Sequence, residues 1–228
     1  LNCQRCFYLA YKHKIRPPSL PFTLNSAVDN LCKNEFDHYR AKAEPHPMFI
    51  EHGIEAVPFA HEKMDEWRNN FKGIRFINEE AGYNFGGAVD DIWQKPSGEL
   101  IVVDVKSTSK NVFDWEDTYS KWEYAKGYQR QLEMYQWLLE KNGFEVASEG
   151  YLVYYNGKKH EPMFNQQLTF DLHLVRLECD NSWVEEAVLN AKATLDGDMP
   201  KPARSCENCN YLRKRWEVSQ KDPNKLVD

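Results

Sequence analysis

The sequence holds no apolar run near the ~20 residues that a membrane-spanning helix needs, and no secretory signal is visible in it. It has no excess of positive charge. A net charge of −6 excludes a basic nucleic-acid coat and leaves any DNA binding to local patches. It has no internal repeat, low-complexity tract or long linker, which argues against solenoids and arrays. Cysteine is sparse, at six residues. Cys32 and Cys179 are isolated and read as small buried apolar side chains. The other four form two Cys-x-x-Cys pairs, Cys3/Cys6 and Cys206/Cys209. Without a visible signal peptide, such pairs point to metal binding before disulfides. The expected compartment is the cytoplasm or nucleoid. The chain opens on Leu1 rather than Met, so an upstream segment, an organellar leader included, stays open.

What is present suits a globular protein. The chain has 228 residues, 42% hydrophobic and 14% aromatic, enough for one domain spanning residues 1–228. The charged fraction of 28% is ordinary and argues against disorder. Hydrophobic spacing predicts helices over 3–14, 25–40, 59–71, 118–141 and 182–195. Residues 41–55, with Pro45 and Pro47, read as irregular. Strands are expected over 74–80, 83–94, 99–108, 150–156 and 167–178, the first three as a meander. The order predicts an α/β fold with a central mixed sheet flanked by helices. The core falls over about 72–180, with helical, cysteine-bearing segments at 1–71 and 181–215.

Within this pattern three charges stand where apolar residues are expected. Asp90, Asp104 and Lys106 interrupt two strand-like runs joined by the turn Lys95-Pro96-Ser97-Gly98. In a hairpin symmetric about Ser97, Asp90 faces Asp104. Directly opposed residues hold their Cβ atoms ~4.5–5.5 Å apart. Lys106, two residues on from Asp104, points to the same face. Two carboxylates so close repel, and one takes up a proton unless a cation intervenes. Mg²⁺ or Mn²⁺ answers this, because hard cations take oxygen ligands. Lys106 then stands where it can orient a water or neutralise an oxyanion. The other reading is an exposed edge hairpin with an Asp–Lys ion pair. Ile101, Val102, Val103 and Val105 speak against an exposed edge.

Gly87-Ala88-Val89-Asp90, the hairpin and Asp104-Val105-Lys106 resemble the metal-binding core of PD-(D/E)XK nucleases. The next helix carries Gln131-Leu132-Glu133-Met134-Tyr135, similar to the Gln-x-x-x-Tyr motif of the RecB-like exonuclease branch. That branch includes CRISPR-associated Fe–S exonucleases and the nuclease domains of helicase–nuclease complexes. The resemblance implies a restriction-endonuclease-like core and hydrolysis of DNA. It implies Asp90, Asp104 and the Val105 carbonyl as metal ligands, Lys106 as the water-orienting group, and Gln131 and Tyr135 as supports for the strand or for Lys106. The branch also has an upstream Gly…His motif. Here Asn25 and Asp29 stand in its place, so Asp29 is the candidate for a further ligand. As a surface charge it has no such role.

The cysteine pairs fit the same resemblance. Cys3 and Cys6 precede Phe7-Tyr8 as in the branch's opening helix, and Cys206 and Cys209 fall in its closing segment. The Fe–S members divide their cysteines one and three, whereas this chain divides them two and two. The resemblance favours a [4Fe–4S] cluster, and zinc is the alternative. Either would join the two terminal segments. Each segment is basic, with Arg5, Lys12 and Lys14 in one and Arg213, Lys214 and Arg215 in the other. Together with nearby aromatic residues they make a candidate groove for DNA with a single-stranded segment. The expected function is a Mg²⁺- or Mn²⁺-dependent DNA exonuclease in repair, processing or defence, with a helicase or another DNA-processing protein as partner. The rivals are a nucleic-acid-binding module with a decayed centre and a structural subunit.

Overall fold

The stretch Leu100–Val103 is buried without a break and forms the centre of a sheet. It lies in strand β5 (Leu100–Thr108), which pairs in parallel with β6 (Val146–Gly157). Strands covered on both faces read as continuous apolar runs rather than alternating ones. Around this pair the sheet runs β1 (Val57–Pro58), β4 (Asp91–Gln94), β5, β6 and β7 (Phe170–Glu178). All other pairings are antiparallel. This is the expected mixed sheet, seen in a computed structural model that describes residues 2–19 and 23–221. Among the described residues no helix is long and apolar enough to cross a membrane.

The chain divides into two compact units, Phe22–Val184 and Leu1–Pro21 with Glu185–Asp228. In the larger one, Trp93, Ile101, Val103, Tyr151 and Val153 form one face of the sheet. Phe36 and Cys32 of helix α2 (Thr23–Arg40) pack there with Met48 and Phe49 of α3 (Pro47–Glu51). Strand side chains alternate, so Asp104 and Lys106 share the opposite face with Leu100 and Val102. Helix α6 (Glu123–Lys141) contacts β5 and β6. The smaller unit contains α1 (Gln4–Lys12), all but the first residue of α7 (Val184–Asp196), and α8 (Glu207–Lys221).

The structure corrects several sequence expectations. The three-strand meander is instead two separate pairings. β2 (Ile74–Asn78) and β3 (Tyr83–Gly87) make a sheet of their own, and β4 joins the main one. The break falls at Ala88–Asp90, where the Val89 N–H leaves the ladder to donate to Trp67 O at 3.1 Å. Of the helix expected over 59–71 only α4 (Met64–Trp67) forms. The Phe59 N–H donates to Ile92 O at 2.9 Å and so extends the sheet edge instead. The stretch taken as irregular holds α3, with Pro47 in its first turn and His46 Nδ1 accepting from Met48 N–H at 3.1 Å. The long helix over 118–141 is two helices, α5 (Trp115–Lys121) and α6, parted by Trp122 in an extended conformation. No Pro or Gly marks that break. α8 was not anticipated.

One glycine lets β3 and α6 come together. A Cβ on Gly87 would stand 2.5 Å from Cε1 of Tyr135, too close for any side chain. The ring of the Gln-x-x-x-Tyr tyrosine therefore lies directly on the backbone just ahead of Asp90. Gly87→Ala is expected to cost about 1–3 kcal/mol, as overpacked sites do. Urea unfolding of Gly87→Ala, Tyr135→Ala and the double variant checks this. The glycine substitution should cost much less once the ring is gone.

Candidate active site

The hairpin register is the one expected from its turn. Asp91 pairs with Val103 and Ile92 with Val102, which places Asp90 at the end of the ladder across from Asp104. Asp90 Oδ2 accepts from the Val105 N–H at 2.8 Å, so the carboxylate crosses to the neighbouring strand. Asp104 is 1% exposed. The Lys106 ammonium lies directly against its Oδ2 as an ion pair. The same ammonium stands 4.6 Å above the ring centre of Tyr128 on α6, a cation–π contact. Gln131 Nε2 donates to the Tyr135 hydroxyl at 2.8 Å. Burial pushes the Tyr135 hydroxyl up, so it remains a neutral phenol. Of the aromatic side chains on α6, it is Tyr128 that touches Lys106.

Asp104 feels burial first and the charge of Asp90 second. Together they push its carboxyl up to about 7, against the pull of Lys106. The pair therefore gathers negative charge in a site that disfavours it. Hard carboxylate oxygens in that state fit a small divalent cation such as Mg²⁺ or Mn²⁺, which would favour the ionised form of both. Asp29 approaches from α2 through an intermediary. Lys33, one turn later on the helix, contacts Asp29 Oδ2 at 2.8 Å and Asp90 Oδ1 at 3.7 Å. Asp29, Asp90 and Asp104 do not gather as tightly as the ligands of one ion. Among the described residues only the four cysteines do.

Sequence reasoning missed Lys33 and a second cluster beside it. Asp91, next to Asp90, points to the other face of the sheet and is fully buried. Arg40 Nη2 meets its Oδ1 at 2.6 Å, Arg68 Nη2 contacts its Oδ2, and the Ile92 N–H adds a bond at 2.7 Å. Desolvation raises the Asp91 pKa, against the pull of Arg68 and Arg40. Asp37 completes the cluster by accepting from both arginines. This network clamps α2 and the segment after α4 to the base of the β4–β5 hairpin. The available signal was the doublet Asp90-Asp91 at the start of a strand-like run, since two neighbouring carboxylates there need separate partners. The Asp29/Lys33 spacing, one helical turn, was legible in the same way.

In the smaller unit the four sulfurs converge. Cys6 Sγ lies 3.5 Å from the Sγ of both Cys206 and Cys209, and Cys3 Sγ lies 3.9 Å from that of Cys209. All four fall within 4.8 Å of one another. None is in a disulfide. Desolvation opposes ionisation of Cys3, but the backbone at Ala203 and Cys6 brings it down to about 6, while burial pushes Cys6 up. One thiolate is therefore poised among thiols, a state that a bound cation would relieve. The basic residues divide. Lys12 donates to Leu195 O, a terminal carbonyl of α7, at 2.7 Å, and Arg213 pairs with Glu217 at 3.0 Å. Lys14, Lys214 and Arg215 are exposed and Arg5 is half-buried. Because 213–215 are helical, these consecutive cations fan around α8 instead of sharing a face.

A carboxylate pair and a lysine meet on a hairpin of a mixed sheet, with a helix lying against the same strands. The family model of the PD-(D/E)XK nuclease superfamily matches residues 17–213. The chain belongs to that superfamily. No curated protein and no solved structure matches it.

The raised Asp104 pKa has a consequence for stability. Unfolded, an aspartate titrates near ~4. The folded metal-free protein binds this proton more tightly, so the stability that Asp104 contributes below ~4 is lost as pH rises through about 7. Urea midpoints of the metal-free protein should fall over this window. Those of Asp104→Asn should fall less.

Proposed function

We propose that this chain is a Mg²⁺- or Mn²⁺-dependent deoxyribonuclease of the RecB-like branch, acting on DNA ends. The observation that carries this reading is the meeting of Asp90 and Asp104 across the hairpin with Lys106 against Asp104. The Gln131–Tyr135 bond on the facing helix supports the branch. Asp90, Asp104 and the Val105 carbonyl would hold the cation, which supplies Lewis-acid polarisation of the phosphate and a more acidic water. Lys106 orients the attacking water and balances charge growing on the phosphate oxygens. Gln131 and Tyr135 steady the strand. Asp29 enters as a ligand only when Lys33 moves aside.

Arg5, Lys14, Lys214 and Arg215 are the better candidates for phosphate contacts, since Lys12 and Arg213 have partners in the protein. The fitting substrate is DNA with a single-stranded segment. The partner chemistry is that of DNA processing, a helicase included. A second reading has one observation behind it. Lys33 already sits between Asp29 and Asp90, which suits a binding module with a quiet centre. The deciding experiment is cleavage of end-labelled linear and circular DNA with Mg²⁺ or Mn²⁺. Linear DNA should be lost, circles spared, and Lys106→Ala slowed ~10²-fold or more. Normal turnover by folded Lys106→Ala protein would sink the mechanism.

For the cysteines the sulfur separations support zinc over the cluster that the resemblance favours. One tetrahedral ion with ~2.3 Å bonds draws its sulfurs to about 3.8 Å from one another. Three of the six separations here run from 3.5 to 3.9 Å, and all six lie within 4.8 Å. A [4Fe–4S] cluster spreads its thiolates over four separate irons and needs them wider apart. Protein purified anaerobically should therefore carry about one equivalent of zinc and no visible-range iron–sulfur absorption. A brown protein with four irons would overturn this assignment and leave the nuclease reading intact.

A further inference from the structure

A line of aromatic rings runs from solvent to the candidate catalytic lysine, and only its inner end is accounted for by packing. Trp122 is 56% exposed at the extended break between α5 and α6. Its ring centre lies 6.2 Å from that of Tyr124, which is 45% exposed. Tyr124 lies 5.7 Å from Tyr128, and Tyr128 lies under the Lys106 ammonium at 4.6 Å. Lys106 then contacts Asp104. Single exposed aromatic residues are ordinary on protein surfaces. Three in contact, ending on the reacting centre, are not scattered exposure. The helix break matters here, because a continuous helix would not leave Trp122 in its extended conformation.

The chemistry offered by this line is flat π surface. The nearby cations are already spent. Lys121 pairs with Asp117, and Lys126 and Arg130 pair with Glu123. A ligand held here is therefore held by stacking rather than by phosphate charge. Bases within a duplex stack on one another and show no free face, whereas an unpaired strand offers one at each nucleotide.

We propose that Trp122 and Tyr124 form a base-stacking track that delivers the unpaired end of a DNA strand to Lys106 and the Asp90/Asp104 pair. This rests on the nuclease reading and adds the residues that would select an unpaired strand. Trp122 and Tyr124 are positioning residues and carry no chemistry.

The test is binding measured by fluorescence anisotropy in EDTA, where cleavage is blocked. The probes are an oligothymidylate and a strand of the same length made of abasic sites. Wild-type protein should prefer the thymidylate by about tenfold or more, the size of one base–aromatic stack. Trp122→Ala with Tyr124→Ala should erase that preference and leave the abasic affinity and the circular dichroism unchanged. Trp122→Phe should retain most of it. Added salt should weaken both probes equally, leaving the preference in place. An unchanged preference in the double variant would overturn the proposal, as would equal wild-type affinity for both probes. Metal-dependent cleavage is scored separately on wild-type protein. Cleavage without base preference removes the track and keeps the nuclease. Base preference without cleavage removes the nuclease and keeps a single-strand binding surface.

Discussion

The buried carboxylate of Asp104 in the central strand of the sheet is the constraint on which the rest depends. A lone ionised carboxylate there would be prohibitive. The fold answers with Lys106 on the same strand face and Asp90 across the hairpin. Asp29, Asp90 and Asp104 against the ammonium groups of Lys33 and Lys106 leave one residual negative charge when all three are ionised. Burial and Asp90 hold the Asp104 proton until about 7. A site in this condition attracts a cation and gives it few oxygen ligands from the protein. Open positions on such an ion are what hydrolytic chemistry needs.

The neighbouring charges fix the geometry around that centre. Asp90 ends the break ahead of β4 and Asp91 opens the strand, and their side chains go to different partners. Asp90 goes toward Asp104 and accepts from the Val105 N–H. Asp91 goes under the sheet, where Arg40 and Arg68 hold it. The second pair costs desolvation and is not retained for hydrophobic gain. It locks the hairpin base to α2, the helix that carries Asp29 and Lys33. The Tyr135 ring occupies the space that a side chain at Gly87 of β3 would take. β3 and α6 are thereby set against each other at one point, and Lys106 of β5 meets Tyr128 of α6 at another.

Much of this was legible in the sequence, for stated reasons. The turn Lys95–Gly98 set the register, and the continuous apolar run identified the central strand. The cysteine pairs met because four ligands with one spacing imply one site. What escaped has common causes. Trp122 breaks a helix with no Pro or Gly to announce it, so 118–141 read as one element. β2–β3 parted from the hairpin because one backbone bond, from Val89 to Trp67, is a tertiary choice without a local signature. Arg40 and Arg68 lie far from Asp91 in sequence, so their convergence needed the fold. The three cations at 213–215 looked like one patch only while their helix went unrecognised.

The central claim is that Asp90 and Asp104 together hold a divalent cation. Calorimetric titration of Mn²⁺ into the protein, compared with Asp104→Asn and with the cysteine site as purified in both, tests it most directly. The account predicts Mn²⁺ binding that strengthens as pH rises through about 7 and disappears in the variant. Equal Mn²⁺ binding by wild type and Asp104→Asn, or none by either, would contradict it.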